Sequence, residues 1–193
     1  MGSSKSWLAR SRALISIILL VPAGLAVATA TPPFPVDSWQ ALCFEAAGWT
    51  LFFAGAIFRW WATLYIGGRK GTQLACHGPY SMTRNPLYFG TFLMVLSVGI
   101  FAESGIFVVA SLPVAVLYLA IVVPGEERRL SSRFGREYEK YRARVPMFFP
   151  RVSLYQRLET IRVNSEGLRA ELLRSIRWAC IPILCHLYLY LRL

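Results

Sequence analysis

The chain has 193 residues, about the length of one domain, and 55% of them are hydrophobic. Its mean hydropathy of +0.46, with the apolar residues gathered in blocks, excludes an ordinary soluble globule. The formal net charge of +11 could suit a nucleic acid, but the basic residues lie between and beside the apolar blocks. This placement favours a membrane protein with no nucleic-acid partner.

Four apolar blocks meet or approach the ~20 uncharged residues that a helix needs to cross a bilayer. They are 13–30, Trp39–Ile66, 87–102 and 106–123. A fifth block, 176–191, is short and contains Pro182, so the sequence leaves open whether it spans the bilayer, enters it partway or lies flat. The pattern predicts an all-α, polytopic integral membrane protein with four or five transmembrane helices, forming one domain over 1–193.

The distribution of Lys and Arg predicts how the chain is oriented. Basic residues lie before the first block, in 67–85 and in 124–176, whereas the short loops 31–38 and 103–105 contain none. By the positive-inside rule the basic segments face the cytoplasm and the short loops face outward. Arg59 lies inside an apolar block, and two interpretations are open: it snorkels to the cytoplasmic surface, or it is buried and functional.

Two further features concern the N-terminus and the cysteines. The first block follows basic residues and ends in Ala-Thr-Ala, so it also fits a secretory signal. The cysteines show no CxxC spacing, and we interpret them as small core residues. Cys185 with the adjacent His186 offers too few ligands for a structural zinc site, so we predict no metal.

The first polar segment, 67–90, leads directly into the third apolar block. Asn85 is a favourable N-cap and Pro86 a favourable first helical residue. Free N–H groups at this helix start, with Arg84 beside them, predict an anion site at the membrane surface. Tyr88 lies in the first turn, and Gly90 leaves room for a flat group. An interfacial anchor, with Arg84 on headgroup phosphates, is an equally open interpretation.

The second polar segment, 124–150, begins where Pro124 is expected to break the fourth block. One face of the following helix carries Glu126 and then an apolar stripe of Leu130, Phe134, Tyr138 and Tyr141. The opposite face carries a basic ridge suited to anionic lipid headgroups: Arg129, Arg133, Arg136, Lys140 and Arg144. Two interpretations of Glu126 and Glu127 are open. Either they interact favourably with the dipole at a helix N-terminus, or they pair with Arg84 or a cationic ligand, because an unpaired carboxylate is costly where the helix leaves the membrane. We expect both polar segments to converge on one site.

These residues resemble the isoprenylcysteine carboxyl methyltransferase family and its phospholipid methyltransferase relatives. The resemblance covers about 67–150, with 151–175 as a basic cytoplasmic segment and 176–191 as a C-terminal apolar helix. It rests on two motifs in register: Gly78-Pro79-Tyr80 with Arg84-Asn85-Pro86-Leu87-Tyr88-Phe89-Gly90, and Glu126-Glu127 with Leu130, Phe134-Gly135, Tyr138, Tyr141 and Val145-Pro146. The resemblance implies that both motifs enclose S-adenosylmethionine at the cytoplasmic membrane surface, and that a lipid-like substrate enters from the bilayer.

The resemblance also implies which residues bind the cofactor. Its carboxylate would be held by Arg84 and the helix start at Asn85 and Pro86, and its ammonium or ribose by Glu126 or Glu127. The adenosine or the sulfonium would be contacted by the rings of Tyr80 and Tyr88 and by the helix surface left open at Gly90. The family usually has histidine where this chain has Asn85, which cannot carry a positive charge. Weaker cofactor binding or an altered activity are both open consequences.

Glu127 and Arg144 are the candidate catalytic residues. A phospholipid amine must lose a proton before it attacks, whereas a prenylcysteine carboxylate is already ionised at neutral pH. The arginines at 142 and 144 favour an anionic acceptor, so we expect a carboxylate of an isoprenylcysteine-like compound in preference to phosphatidylethanolamine. Two other classes stay open: an NADPH-dependent membrane reductase on a similar scaffold, and a non-catalytic lipid-binding protein. The oligomeric state is not predicted.

Overall fold

The structure of the protein is a computed structural model that describes residues 33–35, 38–67, 73–161 and 163–191, and these ranges contain helices and no strand. The predicted all-α class is therefore confirmed for the described part of the chain. The first apolar block, 13–30, with its alternative interpretation as a secretory signal, lies outside the described residues, as do the loop cations Arg69 and Lys70.

Seven α-helices follow one another along the described chain. They are α1 (Trp39–Ile66), α2 (Pro79–Met82), α3 (Pro86–Phe101), α4 (Gly105–Leu117), α5 (Val123–Phe134), α6 (Arg136–Arg144) and α7 (Ser165–Leu191). A π-helical turn, Tyr118–Val122, joins α4 to α5, and a 3-10 turn, Val152–Leu154, precedes α7.

Two helices in the described ranges are long and apolar enough to cross a membrane. One is α1, in which the Ser38 hydroxyl caps the first turn by accepting from the backbone N–H of Ala41. Its 28 residues give a length of about 42 Å, more than the hydrocarbon core requires. The other is the continuous run Gly105–Phe134, while α3 is shorter at 16 residues. Two of the predicted spans are supported in this way, and the total of four or five stays a prediction.

The expected break at Pro124 is wrong, because the helix runs through it from α4 into α5. Proline lacks a backbone N–H and its ring crowds the preceding turn, and the wider π-helical turn before it relieves both problems. Glu126 and Glu127 therefore lie inside a continuous helix. The interpretation of these carboxylates as partners of a free helix N-terminus is also wrong.

The apolar stripe of the second segment is confirmed, although the helix is interrupted. Gly135 separates α5 from α6 with a φ of +51°, a conformation that glycine adopts at little cost. The stripe nevertheless forms one cluster on both sides of the break, with Leu130, Phe134, Tyr138 and Tyr141 packed against Leu74 and Val145. All five cations of the basic ridge are exposed on the other side.

The helices α1 and α3 approach each other closely at two glycines. A Cβ atom on Gly90 would lie 2.5 Å from Cγ of Arg59 and 2.7 Å from the carbonyl oxygen of Gly55. The space above Gly90 is thus filled by α1, so the prediction that it admits a flat ligand group is wrong. The helix α7 packs against both α1 and α3.

The interpretation of the cysteines as core residues is wrong for Cys43 and Cys180, whose side chains are exposed, while Cys76 is half-buried. Both exposed cysteines lie on long helices with many exposed apolar side chains. A helix in a bilayer faces lipid, so an apolar residue there does not need to be inside the protein.

Candidate functional site

The two polar segments meet, as the sequence predicts, through backbone and side-chain hydrogen bonds. The backbone N–H of Arg84 donates to the carbonyl of Pro146 at 2.9 Å, and that of Arg151 donates to the carbonyl of Met82 at 2.9 Å. The buried Thr83 hydroxyl donates to the carbonyl of Phe148 at 2.8 Å. These bonds hold the segment after α6 against the loop that precedes α3.

Arg84 and Glu127 form the centre of a buried polar cluster. The Nε atom of Arg84 lies 3.0 Å from Oε1 of Glu127, and both side chains are about nine-tenths buried. Arg142 adds a second positive charge, with its Nε atom 3.8 Å from Oε2 of Glu127. Arg84 also donates from a terminal guanidinium nitrogen to the Arg142 carbonyl at 2.9 Å. The arginine predicted as a partner for the glutamate pair is therefore paired with Glu127.

The cluster retains unused hydrogen-bonding capacity. The Arg84 Nε and Glu127 Oε1 atoms are close but not aligned as a hydrogen bond, and the hydroxyl of Tyr138, which is 1% exposed, makes no hydrogen bond of normal geometry. Burial, with the negative charge of Glu127, raises the pKa of Tyr138 to about 12, so its hydroxyl is a neutral donor at physiological pH. Buried polar groups without partners are rare and mark places where a ligand or water completes the bonding.

Glu126 is held separately from Glu127. It accepts a hydrogen bond from the Tyr88 hydroxyl at 3.0 Å, and the Tyr88 ring packs edge-on against Tyr118 with the centroids 5.7 Å apart. This contact links the first turn of α3 to α5. The two adjacent glutamates therefore contact different residues of the first motif: Glu126 binds Tyr88, and Glu127 pairs with Arg84.

Asn85 lies at the predicted start of α3, but its side chain does not cap the helix. Its Nδ2 group donates to the carbonyl of Met147 at 2.9 Å, so it ties down the segment after α6. The predicted capping role is wrong because Asn85 has a ψ of 56° in place of the extended conformation of an N-cap, and its amide is oriented by the bond from Nδ2 to Met147. Pro86 occupies the first helical position as predicted and is fully buried.

Tyr80 is 7% exposed and packs against Ala62 and Tyr65. Its carbonyl accepts a hydrogen bond from the Tyr141 hydroxyl at 2.8 Å, whereas its own hydroxyl has no partner. Burial raises the pKa of Tyr80, opposed by the positive charge of Arg59. Tyr80 therefore supplies a second buried neutral donor.

Arg144 is exposed on the basic ridge, and the contacts in the described part of the chain bring Arg142 to Glu127 instead. The prediction that places Arg144 at the site is not supported by this geometry. Tyr138 and Arg142 lie four residues apart, about one helical turn, so both are on the face of α6 towards Glu127. Arg144 lies two residues further along and falls on another face.

Sequence reasoning missed a buried ion pair between Arg59 and Glu171. Their Nε and Oε1 atoms are 2.6 Å apart, a second contact joins the guanidinium to Oε2 at 3.1 Å, and the residues are 8% and 3% exposed. Arg59 therefore does not snorkel, and its burial, one half of the other interpretation, is confirmed. A functional role for it stays a prediction. The available signal was Glu171 itself, an acidic residue one turn ahead of the last apolar block.

The described helices, two of them long and apolar enough to cross a membrane, carry a buried polar cluster where the two motifs meet. Residues 44–137 match the family described as phospholipid methyltransferase. This match, over just under half of the chain, is to the family that the two sequence motifs resemble. The matched segment begins within α1 and ends in α6, so α7 lies outside it.

Two curated proteins are similar to this chain. The nickel-cobalt-cadmium resistance protein NccN of Alcaligenes xylosoxydans xylosoxydans is 35% identical over 141 residues, which are 72% of this chain and 65% of that protein. The cobalt-zinc-cadmium resistance protein CzcN of Cupriavidus metallidurans is 40% identical over 119 residues, which are 61% of this chain and 54% of that protein. The chain thus spans less than two thirds of either relative, and no solved structure matches it.

Proposed function

We propose that the protein transfers a methyl group from S-adenosylmethionine to a lipid-like acceptor, at an active site on the cytoplasmic face of the membrane. The match to the phospholipid methyltransferase family and the two membrane-length helices support the reaction class and the membrane location. The observation that carries the proposal is the buried cluster of Arg84, Glu127 and Tyr138, where the two motifs meet with donors and an acceptor left unsatisfied.

The cluster fits the amino-acid end of S-adenosylmethionine, which carries both a carboxylate and an ammonium group. Arg84 and the Tyr138 hydroxyl can donate to a carboxylate, and Oε1 of Glu127 can accept from an ammonium group. When bound, the cofactor would supply a methyl group on a positively charged sulfur, and attack of the acceptor on the methyl carbon would break the carbon–sulfur bond and leave the sulfur neutral.

The remaining site residues prepare the surroundings for that displacement. The hydrogen bond from Tyr88 to Glu126 sets an aromatic ring beside a carboxylate, a combination that attracts a cationic sulfur. The buried Tyr80 excludes water from the base of α3 and offers an uncharged donor. Asn85 and Pro86 contribute by fixing the loop and the helix start that carry Arg84. Holding two reactants in the right orientation supplies much of the rate acceleration in such reactions.

For the acceptor, we propose a carboxylate of an isoprenylcysteine-like compound. Arg142, half-exposed beside Glu127, and the exposed Arg144 offer positive charge where an anionic acceptor would approach. Glu127 lies between two guanidinium groups, so we assign it as a charge partner of the site and not as a base. An amine acceptor would need such a base. Phosphatidylethanolamine is the second candidate, favoured by the description of the family.

Anionic lipid is the proposed membrane partner. The exposed basic ridge on α5 and α6 begins where the apolar part of the membrane-length run Gly105–Phe134 ends. Each cation near an anionic bilayer surface contributes about 1 kcal/mol of attraction.

Titration of the purified protein in detergent with S-adenosylhomocysteine and with NADPH tests the reaction class. We expect binding of the first compound and not the second. Binding of NADPH alone would identify a reductase, and binding of neither would favour a lipid-binding protein.

The acceptor is tested by radiolabelled methyl transfer to a small prenylcysteine analogue and to phosphatidylethanolamine in parallel. We expect a base-labile product, because a methyl ester hydrolyses in base and an N-methyl group does not. A base-stable product that extracts with the phospholipids would contradict the carboxylate acceptor.

The names of the two relatives raise metal resistance as a setting for this activity. In the ranges that the structure describes, no three or more His, Cys, Asp or Glu side chains lie together as a metal site would require. If methyl transfer underlies resistance, cells producing Arg84→Ala will lose metal tolerance together with methyl transfer. Full tolerance in cells without methyl transfer would separate the two properties.

A further inference from the structure

The ion pair between Arg59 and Glu171 joins α1 to α7 away from the Arg84 cluster. Both oxygens of the glutamate are used: Oε1 and Oε2 contact the Arg59 guanidinium at 2.6 and 3.1 Å, and Oε2 also contacts Arg174. Next to it, the Trp60 indole donates to the Ser175 hydroxyl at 2.8 Å. The helix α7 is therefore attached to α1 by polar contacts at two successive positions.

Arg59 also reaches the first turns of α3. A terminal nitrogen of its guanidinium donates to the carbonyl of Leu87 at 2.8 Å and contacts the hydroxyl of Thr91. The Thr91 hydroxyl in turn donates to the same Leu87 carbonyl at 2.9 Å. One buried guanidinium thus connects Glu171 on α7 to the part of α3 that follows Arg84 and carries Tyr88.

A buried ion pair is an expensive way to attach one helix to another. Removing two charges from water costs several kcal/mol per ion, and well-packed apolar residues of similar volume are often as stable or more so. Packing alone would therefore not require Arg59 and Glu171. The arginine differs from an apolar side chain in fixing the direction of its neighbours, because its planar donors define where the acceptors lie.

The same charges act on the candidate site. Tyr80, whose hydroxyl is buried without a partner, lies in the electric field of Arg59, Glu126 and Glu171, which connects the two polar clusters. Gly90 leaves space for the Arg59 stem, so α1 and α3 are shaped around this side chain.

We propose that Arg59 and Glu171 are positioning residues of the methyl-transfer site, an inference that rests on the proposed function. Glu171 holds the Arg59 guanidinium, and the guanidinium holds Leu87 and Thr91, so that the start of α3 presents Arg84 and Tyr88 correctly. The helix α7 lies outside the family-matched residues 44–137, and on this account it helps to position the site residues on α3.

Three variants separate positioning from packing. Arg59→Met with Glu171→Leu replaces the charges by apolar side chains of similar size, so it avoids leaving one charge buried alone. Thr91→Val keeps the ion pair and removes one of its contacts with α3. Ser175→Ala is the matched control, because it removes the other polar contact between α1 and α7 without touching α3.

The variants are compared by thermal unfolding, by S-adenosylhomocysteine affinity and by hydrogen exchange at the amides of 87–91. We expect the double variant to unfold near the wild-type temperature but to bind about tenfold more weakly, and Thr91→Val about threefold more weakly, as lost hydrogen bonds of this kind typically produce. Faster exchange at 87–91 should accompany both changes. Ser175→Ala should match the wild type in affinity and in exchange.

Wild-type affinity and wild-type exchange in both the double variant and Thr91→Val would overturn the proposal and leave the pair as a packing feature. If the double variant does not fold, Thr91→Val decides alone. If the wild type itself does not bind S-adenosylhomocysteine, the proposed function fails, whereas hydrogen exchange in the same variants still decides whether the pair positions α3.

Discussion

The guanidinium of Arg84 and the carboxylate of Glu127 form a buried ion pair between the loop before α3 and the helix α5, with Nε and Oε1 3.0 Å apart. The two residues belong to different motifs, so this contact defines where the motifs meet. It also leaves one donor and one acceptor poorly aligned, which is the arrangement expected of a site that a zwitterionic ligand completes.

Replacing either charged residue that is proposed to hold the cofactor should weaken its binding. We expect Arg84→Ala and Glu127→Ala each to lower S-adenosylhomocysteine affinity by about tenfold or more, because a charged hydrogen bond contributes ~1.5 to 3 kcal/mol. Calorimetric titration measures the effect, with the exposed Arg136→Ala as the control for loss of one arginine. Unchanged affinity in both folded variants would mean that the residues do not bind the cofactor.

Tyr138→Phe should separate stability from binding. Its hydroxyl makes no hydrogen bond of normal geometry, and an unsatisfied buried hydroxyl costs ~1 to 3 kcal/mol, so its removal should leave the unfolding temperature unchanged or raised. The same change should weaken S-adenosylhomocysteine binding, because the hydroxyl is a proposed donor to the carboxylate. A loss of stability without a loss of affinity would contradict this assignment.

The raised pKa of Tyr138 predicts how stability changes in alkaline solution. Below the ordinary phenol pKa of about 10, the folded and unfolded states both keep the proton, and the contribution to stability is complete. Between that value and the folded-state value of about 12, the unfolded chain loses its proton first, so stability falls. Denaturant unfolding at pH 9 and pH 11 should show a smaller loss for Tyr138→Phe than for the wild type. Equal losses would mean that Tyr138 titrates normally.

Gly90→Ala should destabilise the contact between α1 and α3. The new Cβ would overlap the Gly55 carbonyl oxygen and the Arg59 stem, and overpacking of this kind costs ~1 to 3 kcal/mol. Gly125→Ala is the matched control, because nothing lies within 4 Å of its Cβ position and alanine favours a helix by ~0.5 to 1 kcal/mol. Thermal unfolding should therefore move in opposite directions for the two variants. A Gly90→Ala protein as stable as the wild type would contradict the close approach.

The orientation of the chain can be tested by cysteine labelling in a background without the native cysteines. We expect Gln73→Cys and Ser132→Cys to react from the cytoplasmic side and Gly105→Cys from the outside, following the distribution of Lys and Arg. Outward labelling at Gln73 or Ser132 would move the candidate site to the opposite face of the membrane.

Much of the fold could be predicted because its signals are local. Apolar blocks mark helices such as Trp39–Ile66, and a repeat of 3.6 residues predicts the stripe that joins Leu130 to Tyr141. The continuation through Pro124 could not be predicted, because a proline signals a break unless a wider turn precedes it. The open space at Gly90 and the side-chain cap at Asn85 were also predicted wrongly, since both depend on which part of the chain lies opposite.

By itself the sequence determined the membrane class, the helical blocks, the two motifs and their convergence, because hydrophobicity and spacing are properties of neighbouring residues. Only the tertiary structure decided that Arg84 pairs with Glu127 while Glu126 binds Tyr88. It alone joined Arg59 to Glu171, which lie 112 positions apart. Nothing in a one-dimensional pattern specifies such a partner, since a buried charge selects whichever opposite charge the packing of the helices brings within reach.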